Sequence, residues 1–388
     1  MIIGFDAKRA FKNNTGLGNY SRMVICALAE ARPDIELVLF TPDARGSHAS
    51  FYEQESGGQQ VASASGSKRN VKVVTPRGVW RLFPSLWRSF GIATEIRRRH
   101  IDLYHGLSHE LPHGRVGECK LVVTMHDLIV WRYPKHFPVV DRLIYKMKQR
   151  HACRCADAIV AISRQTQRDL VDLLHVDGSK TEVVYQSCDA IFHAAVPNSH
   201  RAAVRQRYAL PDKYIVCVGT IELRKNQVAV VEAMAMVPGN VHLVVIGKKT
   251  AYSDAVVDAV IRHGLESRVH FLQGVDFADF PAIYAEAFAS VYMSIFEGFG
   301  IPVLESLVCG TPVVASSRSS IPEVGGDAAL YADPSSPKEI AAQINRLLSN
   351  PHLYGELQSL ATIQAARFAP KKIASDLLRL YMMTTGKA

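Results

Sequence analysis

The chain has 388 residues, 48% of them hydrophobic and 21% charged, with a formal net charge of +9. That length allows two domains, each with a full core, and no apolar run is long enough to span a bilayer. The seven cysteines are scattered, and their spacing argues against a disulfide framework or a zinc site and for reduced core thiols in a cytoplasmic protein.

Ile2–Asp6 reads as a first β-strand, not a secretion signal, because no basic residue precedes its short apolar run. Asn13-Asn-Thr-Gly-Leu-Gly-Asn-Tyr-Ser21 follows, and a helix is expected after Gly18, to about Ala31. Gly16 and Gly18 would permit close backbone approach to a ligand; a plain flexible loop is the alternative. Further strands are expected at 36–41, 71–75, 103–105, 120–124, 158–162 and 182–185. Residues 56–67, rich in Gly, Ser, Ala and Gln, read as a mobile loop. Between residues 68 and 99 nine cations stand against one acid, Glu95, among Trp80, Leu82, Phe83, Leu86, Trp87, Phe90 and Ile92. Such a mixture suits an anionic membrane interface. Nucleic acid would attract the same cations but is not the expected partner. A helix with its aromatics in the core is the remaining alternative. His105 ends one strand, and His126 and Asp127 end the next, where a histidine can handle protons or bind a sugar. Ser163 is placed to cap a helix.

Pro197-Asn198-Ser199 reads as part of a linker at 194–199, after which the alternation resumes. Strands are expected at 214–218, 241–246, 269–272, 289–294, 312–315 and 329–332, with helices at 227–236, 280–288 and 371–383. Two successive alternations imply an α/β chain with two doubly wound, Rossmann-like parallel sheets. The expected domains are 1–195, 196–370 and a terminal helical segment, 371–388. Ligands of such sheets bind beyond the carboxyl ends of the strands, so the cleft between domains is the expected active site. At the end of the strand at 214–218, Gly219-Thr-Ile-Glu-Leu-Arg-Lys-Asn226 places Arg224 and Lys225 where they could neutralise a diphosphate leaving group. Later comes Glu297-Gly-Phe-Gly-Ile-Pro-Val-Leu-Glu305, read as a strand, a glycine turn and a short helix. The backbone N–H groups of Gly298, Phe299, Gly300 and Ile301 suit a phosphate, and the two glutamates suit sugar hydroxyls. Together they fit a nucleotide-sugar.

This last segment resembles the signature of the family-4 retaining glycosyltransferases, which have the GT-B architecture of two Rossmann-like domains. The resemblance implies that Glu297 lies by the donor sugar and Glu305 on the nucleotide ribose. It implies that Lys225, with Arg224, holds the donor diphosphate. Many members carry an arginine where this chain has Thr220, which leaves open whether Arg224 takes over that charge. By the same resemblance Gly16 and Gly18 belong to a loop facing the donor phosphates, His126 faces the donor sugar, and Gly274 and Val275 touch the base. His105 and Asp127 are candidates on the acceptor side, and the last helix is expected to cross back to the first domain. No two aspartates are separated by one residue, so the D-x-D pattern of metal-dependent transferases is absent and neither a metal nor a cofactor is expected. Related chains imply transfer of mannose or a deoxyhexose from a GDP-sugar to a lipid-linked saccharide acceptor, in surface polysaccharide synthesis at the inner face of the cytoplasmic membrane. A nucleotide-sugar epimerase or hydrolase of the same fold, and a non-catalytic nucleotide- or RNA-binding protein, are the competing readings.

Overall fold

Short strands buried on both faces need helices on both sides, and the two large sheets of this chain are built that way. The computed structural model describes residues 1–13, 15–44, 54–55, 58–59 and 70–387. They form two compact units, Met1–Ser187 with Ala369–Ala388, and Cys188–Phe368. The first unit holds β1 (Ile2–Asp6), β2 (Glu36–Phe40), β3 (Val71–Val74), β4 (Leu103–Gly106), β5 (Lys120–Met125), β6 (Ala158–Ala161) and β7 (Thr181–Val183), all parallel, in the order β3-β2-β1-β4-β5-β6-β7. Tyr20, Val24 and Leu28 of helix Gly16–Ala31 share a core with Leu377 and Tyr381 of the last helix, Pro370–Thr385. A separate cluster joins Trp87, Ile92 and Ile96 to Leu128 and Leu170.

The second unit repeats the plan. Its strands are β8 (Tyr214–Val218), β9 (His242–Ile246), β10 (Val269–Leu272), β11 (Ala289–Tyr292), β12 (Val313–Ser316) and β13 (Ala329–Ala332), in the order β10-β9-β8-β11-β12-β13. In both sheets the order reverses beside the first strand, at β1/β4 and at β8/β11. The crevice beyond the carboxyl ends at such a point is where open α/β sheets bind ligands.

Several local expectations change in the structure. The units divide at Ser187, ahead of the expected boundary at 195, because Phe192 packs edge-on against Phe277 and Tyr284 of the second unit. Pro197 is not in a linker; it precedes helix Asn198–Arg207. Apart from 58–59, the loop expected at 56–67 lies outside the described residues, as do Lys68 and Arg69 of the basic stretch. The rest of that stretch splits. Trp87 is buried, and Arg88 turns inward to Asp6 at 2.5 Å and Glu110 at 2.7 Å. Lys72 pairs with Glu36, and Arg98 and Arg99 pair with Glu95. The stretch therefore divides: the core takes Trp87 and Ile92, while Leu82, Phe83, Leu86 and Phe90 stay exposed. Among the described residues no helix is long and apolar enough to cross a membrane.

Ser163 caps helix Arg164–Leu174 as expected, accepting from the Thr166 N–H at 3.0 Å. The last helix is fixed to the first sheet by a buried hydrogen bond, the Tyr381 hydroxyl against His105 Nδ1 at 2.6 Å. Replacing Tyr381 with Phe should leave that nitrogen unsatisfied and cost about 1–3 kcal/mol. Urea unfolding should show a lower midpoint with an unchanged slope.

Candidate active site

At the β8/β11 crevice two loops are sewn together. After β8 the chain turns at Gly219 (φ +141°) and enters the 3-10 turn Leu223–Lys225, which ends at Asn226 with φ +58°. The Asn226 side chain pins this turn by donating to the Pro334 carbonyl at 2.6 Å. The Arg224 carbonyl accepts from the Ile295 N–H at 2.8 Å and from the Ser294 hydroxyl at 3.1 Å. Glu297 closes the join. Its Oε1 accepts from Arg224 at 2.5 Å, Lys225 at 2.6 Å, the Tyr292 hydroxyl at 2.8 Å and the Ser294 hydroxyl at 2.6 Å. Lys225 Nζ also donates to the Tyr292 hydroxyl. Arg224 reaches Glu222 at 2.5 Å and the Phe296 carbonyl at 3.0 Å. Burial alone would raise the Glu297 carboxyl, but the charges of Lys225 and Arg224 outweigh it and hold the group at about 2. The two cations expected to stand ready for a diphosphate are thus each already paired with a carboxylate.

The turn after Glu297 is held from below. Ser319, itself at φ +61°, accepts from the Glu297 N–H at 2.9 Å, and Ser320 donates to the Glu297 and Phe299 carbonyls at 2.8 Å each. Gly300 adopts φ +122°, a region that side chains avoid, and leads into helix Ile301–Val308. Gly298, Phe299, Gly300 and Ile301 therefore lie together at one helix start. The Phe299 ring is buried edge-on against Phe368, which leaves only its backbone to meet a ligand. Glu305, on the same helix, is 8% exposed and accepts from the Tyr284 hydroxyl at 3.1 Å. Burial pushes its carboxyl up to about 7; the Tyr284 hydrogen bond opposes the shift and Asp189 adds to it. Thr220 uses its carbonyl, which accepts from Gln227 at 3.0 Å, and its side chain makes none of the bonds that converge on Glu297. Gly274 (φ +67°) and Val275 follow β10, two strands from β8 on the same carboxyl edge.

In the first unit the candidate residues are held by the protein's own contacts. His105 is fully buried, with Nε2 2.8 Å from the Thr124 hydroxyl and Nδ1 on Tyr381, so it offers no surface to an acceptor. His126 is 6% exposed, with Nε2 2.8 Å from the Leu107 carbonyl. That contact requires a proton on Nε2 and leaves Nδ1 as an acceptor. Burial, helped by His109, drives the His126 ring down to about 3, so it forms hydrogen bonds but carries no extra proton near neutrality. Gly18 is needed by the protein itself, since a Cβ there would sit 1.8 Å from the Asn13 carbonyl oxygen; Gly16 is open. Asp127 spends one oxygen on the Ile129 N–H at 3.1 Å, shaping the turn after β5.

Two family models match the chain. "Glycosyltransferase Family 4" covers residues 15–190, and "Glycosyl transferases group 1" covers residues 201–367. The chain is a family-4 glycosyltransferase. It is 29% identical to the O-antigen chain mannosyltransferase B of Escherichia coli, over 95% of this chain and 96% of that one. It is 24% identical to the O-antigen chain mannosyltransferase RfbU of Salmonella typhimurium, over 90% and 92%. Among solved structures, Anabaena Alr3699/HepE in complex with UDP-glucose superposes with a TM-score of 0.72 at 20% identity, over 98% of this chain and 99% of that one. WaaG, a glycosyltransferase involved in lipopolysaccharide biosynthesis, superposes with a TM-score of 0.64 at 15% identity, over the whole of both chains. The fold these share is the GT-B fold.

Reading the sequence of this glycosyltransferase missed Tyr292, Ser294, Glu222 and Ser319. Tyr292 and Ser294 carried a usable signal: two polar groups at i and i+2, on one face where an apolar strand ends. The elevated Glu305 carboxyl gives a test with a definite sign. If ribose hydroxyls donate to Glu305, its charged form is the better acceptor, and free-enzyme Glu305 gains that charge as pH rises through 7. Nucleoside diphosphate affinity should then increase about tenfold from pH 6 to pH 8. Calorimetric titration should show this slope for the wild type and a flat profile for Glu305→Gln.

Proposed function

We propose that this glycosyltransferase moves a hexose, mannose in the first instance, from a GDP-linked donor to a lipid-linked saccharide in surface polysaccharide synthesis, with retention and without a metal. The observation that carries the reading is the convergence of Arg224, Lys225, Tyr292 and Ser294 on Glu297 at the start of helix Ile301–Val308. The names of the mannosyltransferase relatives support the sugar and the pathway class.

In this mechanism the donor diphosphate takes Lys225 away from Glu297 and lies against the backbone N–H groups of the helix start. Arg224 keeps Glu222 and Glu297 in place and adds positive field. Glu297, released from Lys225, turns its acceptor oxygen to the hydroxyls of the donor sugar. As the glycosidic bond breaks, charge develops on the diphosphate, where Lys225 and the helix dipole stabilise it. A diphosphate oxygen then takes the proton of the acceptor hydroxyl, which attacks from the side the leaving group vacates. His126, neutral, serves as a hydrogen-bonding group. Lys225, with the field of Arg224, does the work a metal would otherwise do.

Transfer of labelled mannose from GDP-mannose into a lipid-extractable product is the direct assay, with UDP-sugars as controls. Activity should persist after dialysis into excess EDTA; full loss restored by magnesium or manganese would contradict the metal-free mechanism. Glu297→Gln should lower turnover by about tenfold or more, the equivalent of one charge-assisted hydrogen bond, while free nucleotide still binds. Lys225→Ala should lower turnover more than Arg224→Ala, because Arg224 is the more heavily tied to the protein.

A further inference from the structure

Beyond the carboxyl ends of β1, β2 and β3 the first unit opens into a groove of about 930 Å3. Lys8, Lys12, Arg81, Arg88 and Lys148 line it, with Asp43 as the one acid in the lining. Three of these cations are already matched: Arg88 with Asp6 and Glu110, Lys12 with Asp43 at 2.8 Å, and Lys148 with Glu110 at 3.2 Å. Lys8 and Arg81 form no ion pair among the described residues, so among those residues the groove carries more positive than negative charge. Lys8 is half-buried, and burial, with Arg88 and Arg9, pushes its ammonium below the usual lysine range. A cation held against that cost favours an incoming anion.

The rim has a different character. Phe83 and Leu86 flank Pro84 and Ser85 of the lining and are 53% and 50% exposed. Cations at the floor and open hydrocarbon surface at the edge describe a site for an amphiphile with a phosphate head. The groove is concave, and one of its cations, Arg88, is only 12% exposed, which suits an entering head group better than a flat layer of lipid.

We infer that this groove binds the phosphate of the acceptor, a saccharide carried on a lipid phosphate or diphosphate, through Lys8 and Arg81, with the lipid chain lying over the apolar rim. This rests on the proposed transfer to a lipid-linked acceptor and assigns that acceptor a phosphate subsite remote from Glu297 in sequence and in a different unit.

The test is calorimetry on the full chain with farnesyl diphosphate below its aggregation threshold. Farnesol, inorganic diphosphate and GDP serve as separate probes, and phosphatidylglycerol vesicles as a competitor. Farnesyl diphosphate should bind more tightly than farnesol or diphosphate alone, and Lys8→Gln/Arg81→Gln should weaken it by roughly tenfold or more. Arg81→Gln alone, at an exposed position, should show part of the same loss. GDP affinity should match the wild type in each variant, which reports on the donor reading separately and shows that the variants are folded. Equal binding of farnesol, undiminished binding by the double variant, displacement by GDP, or displacement by the vesicles would each overturn the inference.

Discussion

A single carboxylate oxygen, Oε1 of Glu297, organises the second unit's crevice. Four donors from three segments meet it: the Leu223–Lys225 turn, the end of β11 and the residue Ser294 beyond it. Without a diphosphate, two cations this close would repel each other at positions where their side chains are only 22% and 13% exposed. The carboxylate removes that cost, and removing it alone would leave both charges uncompensated. In the proposed reaction the same arrangement holds the groups a phosphate would need, because a ligand with more negative charge than one carboxylate competes well for Lys225. The Glu297 carboxyl is held at about 2, so this stabilisation is complete above the ordinary carboxylate range, near 4.5, and fades only as pH falls from there towards 2.

The two glutamates of the signature segment sit in opposite electrostatic settings. Glu297 is surrounded by cations and stays charged. Glu305 is surrounded by Tyr284, Asp189 and apolar contacts, and burial brings its carboxyl near neutrality. Groups whose environments push them apart in this way commonly divide labour in an active site. One suits a permanent acceptor in the reacting centre, and the other a contact that gains strength when a ligand's hydroxyls solvate it.

Much of this architecture was legible in the amino-acid pattern. The apolar runs gave both parallel sheets, since strands buried on both faces leave no ambiguity of period. Ser163 declared its cap, and Gly300 and Pro302 declared a turn and a helix start. The hidden parts depended on contacts remote in sequence. Arg88 reads as one more surface cation until Asp6 and Glu110 are seen beside it, 82 and 22 positions away. His105 reads as a strand-end ligand until Tyr381 seals it. The pairing of Arg224 with Glu222 and Glu297 has no signature in spacing, because one partner is two residues away and the other lies in a loop 73 residues on.

The most direct measurement is the crystal structure of the protein with a non-hydrolysable GDP-mannose analogue. The account predicts Lys225 Nζ within hydrogen-bonding distance of a phosphate oxygen and displaced from Glu297 Oε1, now 2.6 Å away. It predicts Arg224 still on Glu222, and a Glu297 oxygen on a sugar hydroxyl. A bound diphosphate with the Lys225–Glu297 pair intact, or one bridged to the protein by a metal ion, would contradict it.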